Sequence, residues 1–169
     1  MKKQFVIHLI GPIILLFLPA LLRAQNSCHM ILETGGNVDF KVYSLNYYNQ
    51  GMTYEDYTTL HVSCDTLWYL GVISQDSEFL CNYPDQSLSL DYVEIKATEG
   101  NGQQSFGSEL NTNKITLSDT EYKTIVNGAD GGNYKVNLSY YLDSVKGQHP
   151  GYYNTNFIFR MDTIPISSW

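Results

Sequence analysis

The sequence lacks the features that mark most enzymes and metal proteins. Its 169 residues include only 3 cysteines, 5 prolines and 2 tryptophans. Beyond the N-terminal 24 residues, the histidines at positions 29, 61 and 149 are isolated, with no carboxylate at ligand spacing, so we expect no metal and no cofactor. No Gly-x-Ser-x-Gly turn is present, and adjacent Glu55 and Asp56 would point to opposite faces of a strand. We therefore expect a protein that is not an enzyme.

Positive charge is also scarce. The chain has 10 lysines and arginines against 17 aspartates and glutamates. Three of the basic residues, Lys2, Lys3 and Arg23, lie at the N-terminus, and without them 7 basic residues face 17 acidic ones, a net charge of −10. Because nucleic acids and anionic membranes require a cationic surface, we expect neither as a partner.

The N-terminal region combines Lys2 and Lys3 with an apolar run over residues 5–22 and a small residue, Ala24. This pattern predicts a signal peptide over residues 1–24. A membrane anchor is the alternative, since a span needs about 20 apolar residues, but Pro12 and Pro19 would break a spanning helix. We expect export to the periplasm, the cell surface or the extracellular space, with no membrane span after cleavage.

Helical periodicity is missing from the rest of the chain, whereas Val, Ile, Thr, Tyr and Phe recur in short runs with period two. Residues 59–74 show the pattern best, as two strands joined near Asp65 and Thr66. Further strands are predicted over residues 28–33, 38–45, 88–97, 134–142 and 152–161. Only residues 117–126 suggest a helical turn, because Ser118 can cap it with Glu121 three residues on.

Glycine- and asparagine-rich turns separate these runs, for example at residues 35–37, 100–102 and 127–133. Short strands separated by such turns are typical of a sandwich and not of alternating strands and helices. We predict an all-β protein, an immunoglobulin-like antiparallel β-sandwich, with one domain over residues 25–169.

The cysteines at positions 28, 64 and 81 allow one disulfide in an oxidising compartment. Loop entropy does not choose between Cys28–Cys64, at about 4 kcal/mol, and Cys64–Cys81, at about 3 kcal/mol. Strand alternation favours Cys28–Cys64, because Cys64 shares a face with Leu60 and Val62 and a core strand carrying Trp68, Leu70 and Val72 follows. Cys81 is then a free thiol.

Fourteen tyrosines are the most unusual feature of the composition. Several occur in adjacent pairs, and in a strand one member of each pair must point outward. Tyrosine is both a good strand former and a common binding residue, with the structural role favoured about two to one. From the pairs we take Tyr48, Tyr141 and Tyr153 as candidate binding residues.

Three segments resemble the secreted spore coat protein U-like domains and, more broadly, the pilin subunits of chaperone–usher fibres. Cys28 opens the first strand, residues 59–64 look like the strand with the partner cysteine, and residues 150–159 look like the closing Gly-x-Tyr strand. The extra Cys81 and the extension over residues 162–169 depart from that pattern. The resemblance implies a sandwich that lacks its last strand and is completed by a neighbouring subunit, with residues 25–33 as the donor and an assembly chaperone as a partner.

The sequence therefore favours a secreted surface or fimbrial subunit, with a structural or adhesive role and with copies of itself or related subunits as partners. The alternative is a glycan- or ligand-binding module in which exposed tyrosines stack on sugar rings. A small hydrolase is the third hypothesis, and it would need two carboxylates about 5 to 10 Å apart in a cleft.

Overall fold

The computed structural model describes residues 27–101 and 104–168. The predicted signal peptide lies outside these residues. Within them the chain forms twelve strands, one α-helix and two 3-10 helices. The strands are β1 (Cys28–Thr34), β2 (Asp39–Val42), β3 (Met52–Cys64), β4 (Trp68–Ser74), β5 (Glu78–Cys81), β6 (Ser87–Ser89), β7 (Val93–Glu99), β8 (Lys114–Thr116), β9 (Lys123–Ala129), β10 (Gly132–Leu142), β11 (Gly151–Asn154) and β12 (Phe157–Asp162). The α-helix is α1 (Leu45–Gln50), and the 3-10 helices are Leu90–Tyr92 and Ile166–Ser168.

The strands form three antiparallel sheets arranged in two layers. The first sheet has the order β1-β3-β10-β7-β8, the second β2-β11-β5-β6 and the third β12-β4-β9. Ring contacts join the first sheet to both others: Phe40 of β2 stacks on Tyr54 of β3 at 5.6 Å, and Trp68 of β4 meets Tyr134 of β10 at 5.5 Å. The fold is therefore an all-β antiparallel sandwich, as predicted.

The core lies between the layers and follows the alternation of the strands. In β4 the side chains of Trp68, Leu70 and Val72 are fully buried. Leu60 and Val62 of β3 face them from the first sheet, and the same cluster extends through β7, β9 and β10. Apolar residues at every second position thus bury one face of each sheet, which is the main stabilising contribution of a sandwich.

The disulfide joins Cys28 and Cys64, as predicted, and Cys81 is free. The two bonded cysteines are directly opposite each other in the antiparallel β1–β3 pair, with their Cα atoms 4.0 Å apart. Strand β1 is therefore part of the chain's own first sheet. Residues 28–33 of the segment expected to serve as a donor strand are already used inside the molecule, paired with β3 and held by the disulfide.

Helix α1 interrupts the strand predicted over residues 38–45. Ser44 ends the extended segment and caps the helix, because its hydroxyl accepts a hydrogen bond from the Tyr47 backbone N–H at 3.1 Å. Gly51 ends it with a φ of +77°, a conformation that favours glycine. Two turns of helix with no buried residue leave no apolar stripe for sequence reasoning to find.

The closing strand predicted over residues 152–161 is in fact two strands in different sheets. β11 pairs with β2 and β5, whereas β12 pairs with β4. Thr155 and Asn156 separate them, and Thr155 donates to the Asp76 carboxylate at 3.1 Å while Asn156 accepts from the Gln75 backbone at 2.9 Å. At these two polar residues the chain crosses from the second sheet to the third.

The helical turn suggested over residues 117–126 is wrong. Ser118 does accept backbone hydrogen bonds from Thr120 and Glu121, each at 3.2 Å, as a capping residue would. The chain then enters β9, because Ile125 and Val126 are needed in the core beside β4.

Candidate functional site

Five tyrosines from four segments form a connected group beside Asp39. Tyr54 and Tyr152 interact with Asp39 itself, Tyr43 interacts with Tyr152, and Tyr47 and Tyr57 interact with Tyr54. We call Tyr43, Tyr47, Tyr54, Tyr57 and Tyr152 the tyrosine patch. Tyr43 follows β2, Tyr47 lies in α1, Tyr54 and Tyr57 lie in β3, and Tyr152 lies in β11. Tyr43 is 60% exposed, Tyr47 42% and Tyr57 39%. Exposure of this size for three neighbouring rings marks a surface that the fold itself does not need to cover.

Asp39 and Lys41 form the polar centre of the patch. In the β2–β11 pair Lys41 is opposite Tyr152, and its ammonium nitrogen lies 5.5 Å from the centre of the Tyr152 ring. The interaction of the Tyr152 hydroxyl with the Asp39 carboxylate is the main cause that raises the pKa of Tyr152 to about 12. The hydroxyls of Tyr43 and Tyr54 add to the shift. Tyr152 therefore stays protonated at neutral pH.

Tyr54 connects the patch to the core. Its hydroxyl donates to the Asp39 backbone carbonyl at 3.0 Å, while its ring stacks on buried Phe40. The ring of Tyr57 lies 5.2 Å from that of Tyr54. Burial is the largest cause of the raised pKa of Tyr54, followed by the neighbouring Tyr57 and Asp39. The inner ring is thus fixed and the outer ones are left accessible.

A hollow of about 120 Å³ lies at the α1 end of the patch. Its lining consists of Val42, Tyr43, Ser44, Leu45, Tyr48 and Pro150. Leu45 is 79% exposed at the rim. Tyr48 forms a rigid wall, since its hydroxyl accepts from the Gly147 N–H at 2.8 Å and donates to the Gln148 carbonyl at 3.1 Å. The hollow thus has an exposed apolar rim beside a fixed aromatic wall.

The structure does not bring the three predicted tyrosines together. Tyr48 lines the hollow, whereas Tyr141 lies in β10 of the other layer, where the Lys114 ammonium sits 4.0 Å from its ring centre. Tyr153 is completely buried, and its hydroxyl donates to the His149 carbonyl. Burial, with a smaller effect of Cys81, raises the pKa of Tyr153 to about 12. Tyr153 is a core residue and takes no part in a surface platform.

The adjacent tyrosine pairs explain why the sequence pattern did not identify Tyr47 and Tyr152 as members of the patch. In Tyr152-Tyr153 one ring does face outward and one inward, but the inward position falls to Tyr153 because it is opposite Phe40 in the β2–β11 pair. Tyr47 and Tyr48 lie in a helix, where strand alternation does not apply. Asp39 carries no motif at all. The signal that sequence reasoning could have used is the density of tyrosine over residues 43–57.

Potential metal ligands do not gather at the patch. Across residues 27–101 and 104–168, the group of ligand atoms close enough to hold an ion is Cys28, Cys64 and Asp65, and both thiols are used in the disulfide. Both Asp65 carboxylate oxygens accept from the Ser27 N–H at 3.0 Å. In the same described residues, no helix is long and apolar enough to cross a membrane.

No protein-family model matches the chain, and no curated protein matches it. Among solved structures, the chain is similar to part of a family 123 glycoside hydrolase from Clostridium perfringens, whose structural analysis addresses glycolipid glycan hydrolysis. The two are 12% identical, with a TM-score of 0.38 over 82% of this chain. The chain spans 25% of the length of that hydrolase. A likeness of this size carries no conclusion about activity.

Proposed function

We propose that the protein is an exported, non-enzymatic β-sandwich that binds a neutral glycan through the tyrosine patch. The observation that carries the proposal is a connected group of five tyrosines from four segments beside Asp39, with three of the rings at least 39% exposed. Tyrosine offers a large, stiff ring with a polar tip, so it contributes much contact area at little entropic cost. The predicted signal peptide and the disulfide support export to the periplasm, cell surface or medium.

The chemistry of the patch fits a sugar ring better than a charged ligand. Aromatic faces pack against the C–H faces of pyranose rings, while Asp39 and Lys41 offer an acceptor and a donor for hydroxyl groups. Asp39 and Lys41 stand two positions apart on β2 and carry opposite charges, so the surface favours neither strong anions nor strong cations. Because its raised pKa keeps the Tyr152 hydroxyl protonated at neutral pH, this ring adds no charge to the patch.

Binding is tested on a panel of neutral oligosaccharides, with affinity measured by calorimetry for any that bind. Tyr43→Ala and Tyr47→Ala should each weaken binding about 10-fold or more, since an aromatic anchor contributes about 1.4 kcal/mol or more. Tyr141→Ala is the matched control, because it removes a tyrosine from the opposite layer. Equal losses for all three variants, or no binding by the wild type, would overturn the assignment.

A second candidate is the fibre subunit completed by a strand from another molecule. Strand β12 favours it, because β12 lies at the edge of the third sheet and pairs with β4 on one side only among the described residues. Its inward side chains Phe157, Phe159 and Met161 pack against the core but are only partly buried. An added strand beside β12 would cover them and satisfy its free backbone groups.

Strand addition at β12 predicts that the purified protein polymerises in a way that depends on this edge. Ile158→Lys, at a position 42% exposed on β12, should prevent fibres seen by electron microscopy while leaving the melting temperature within a few degrees of wild type. The matched control is Ile164→Lys, at a position 47% exposed after the strand. Fibres that survive Ile158→Lys would count against this candidate and leave the glycan proposal untouched.

A further inference from the structure

Strand β1 is a second free edge, and it is built differently from β12. It lies at the outside of the first sheet and has β3 as its neighbour on one side only, within the described residues. Two consecutive large apolar side chains, Ile31 at 51% and Leu32 at 49%, are half exposed on it, one on each face of the sheet. Edges of this kind usually carry a lysine, a proline or a bulge that prevents pairing. Residues 28–32 have none, and the irregularity in the β1–β3 register lies after them, between Leu32 and Thr34.

The backbone groups on the outer side of β1 can be assigned from its pairing with β3. Ser27 accepts a hydrogen bond from the Asp65 N–H at 3.2 Å, so Ser27, His29 and Ile31 direct their backbone groups toward β3. Alternation then turns the N–H and C=O groups of Met30 and Leu32 outward. These groups are available to a further antiparallel strand.

We propose that the occupant of this edge is a second copy of the chain, paired antiparallel through β1 with Ile31 at the two-fold axis. In that register His29 lies opposite Glu33 of the other copy, and Glu33 opposite its His29. Ile31 meets Ile31 on the outer face, and Met30 meets Leu32 on the inner face. Each half-exposed apolar side chain gains an apolar partner, and each charged or polar one gains its complement.

The register follows from the sequence of the edge. A two-fold axis perpendicular to the sheet pairs only residues on the same face, so the neighbouring options place Met30 or Leu32 at the axis. Both of those set His29 or Glu33 against an apolar side chain. Glu33 is also prepared for its role, because Lys135 at 2.8 Å and His61 at 3.6 Å hold its carboxylate on the outer face.

Other edges of the described sheets fit a copy less well. β6 and β8 have three residues each, and β2 has four. The outer side of β9 is covered by residues 109–111, which bond to its backbone. β12 has six residues and carries the Arg160–Asp162 ion pair. The ladder between two β1 strands would extend the first sheet from five strands to ten across the dimer. Because the seven-residue edge is smaller than a standard interface, we expect a weak dimer, in the micromolar range or above.

Sedimentation equilibrium of the secreted protein tests the proposal, with two substitutions at one exposed position. His29→Lys places a positive charge opposite Glu33 and should leave the dimer as tight or tighter. His29→Glu sets two carboxylates against each other at both ends of the ladder and should weaken it at least 10-fold. Ile158→Lys, on the β12 edge, is the control and should not change the dimer constant. A wild-type monomer at the highest soluble concentration, or equal behaviour of the two His29 variants, would overturn the proposal.

Cysteine cross-linking tests the register in a Cys81→Ala background, which removes the free thiol. Ile31→Cys places two thiols across the axis and should give a disulfide-linked dimer on mild oxidation. Leu32→Cys lies opposite Met30 of the copy and should cross-link at least 10-fold more slowly. Faster linkage through position 32 would place the axis elsewhere and reject this dimer.

Discussion

Trp68 shows how much of the fold depends on single side chains. Its indole is fully buried between Phe106, at 6.0 Å between ring centres, and Tyr134, at 5.5 Å. The indole N–H donates to the Asp130 carbonyl at 3.2 Å, so the one polar atom of the side chain is satisfied. The ring fills the space between β4 and β10 and fixes the turn that leads into β10. Trp68 thus contributes both to the packing of the core and to the position of this turn.

Trp68→Ala should lower the free energy of unfolding by about 3 to 5 kcal/mol, because it removes a large buried ring and leaves a cavity. Trp68→Phe should cost less, since it keeps part of the ring and loses the hydrogen bond to Asp130. Denaturant unfolding followed by circular dichroism measures both. Wild-type stability of the alanine variant would be incompatible with the core position of Trp68.

At the scale of elements, the turn from α1 into β3 depends on one glycine. Gly51 has a φ of +77°, and a Cβ atom there would lie 2.0 Å from the Leu142 carbonyl oxygen at the end of β10. The helix that carries Tyr47 is thus placed directly against the first sheet. Gly147 has a similar φ of +89° but open space around it.

Gly147→Ala should cost about 1 to 2 kcal/mol, from the positive φ alone. Gly51→Ala should lower the stability by about 1 to 3 kcal/mol more than Gly147→Ala does, because the backbone of β10 must move to admit the methyl group. Thermal unfolding of the two variants gives the difference directly. Equal losses of stability in the two variants would mean that α1 and β10 can move apart to admit the methyl group without cost.

The strands that sequence reasoning placed well are those with clear alternation. The end of β3, β4 and β10 bury every second residue, and this pattern is visible in the chain itself. β5, β8 and α1 are too short to show a period, and β9 resembles a capped turn until its neighbours are known. The tyrosine patch depends on which strands pair, and Asp39 meets Tyr152 only through the β2–β11 register. Strand pairing between distant segments is the information that one sequence does not carry.

Across the whole molecule, the tyrosines divide into rings of the patch and rings of the core. Burial raises the pKa of Tyr140 far above its ordinary value, although its hydrogen bond to Thr58 acts in the opposite direction. Tyr153 is raised to about 12, first by burial. In the unfolded chain both would lose their protons near pH 10. The folded state therefore binds more protons than the unfolded state in strongly alkaline solution.

Stability should fall as pH rises from about 10 toward 12, by up to about 1.4 kcal/mol per pH unit for each of Tyr140 and Tyr153. The raised pKa of Tyr152 acts in the same direction. Tyr140→Phe should reduce this slope by the contribution of one tyrosine. Urea unfolding at a series of pH values, with tyrosinate absorbance as a second signal, measures the slope. A flat profile between pH 10 and 12 would contradict it.

The disulfide also determines how the molecule responds to mechanical tension. A pull on the N-terminal side enters the domain at Cys28 and passes through the covalent bond to Cys64, without loading the chain between them. Asp39, Tyr43, Tyr47, Tyr54 and Tyr57 all lie within that closed loop. If the protein were held by its N-terminus on a moving cell, the force would pass through the disulfide and would not load the polypeptide that carries most of the tyrosine patch. That polypeptide could not be extended while the bond remains intact.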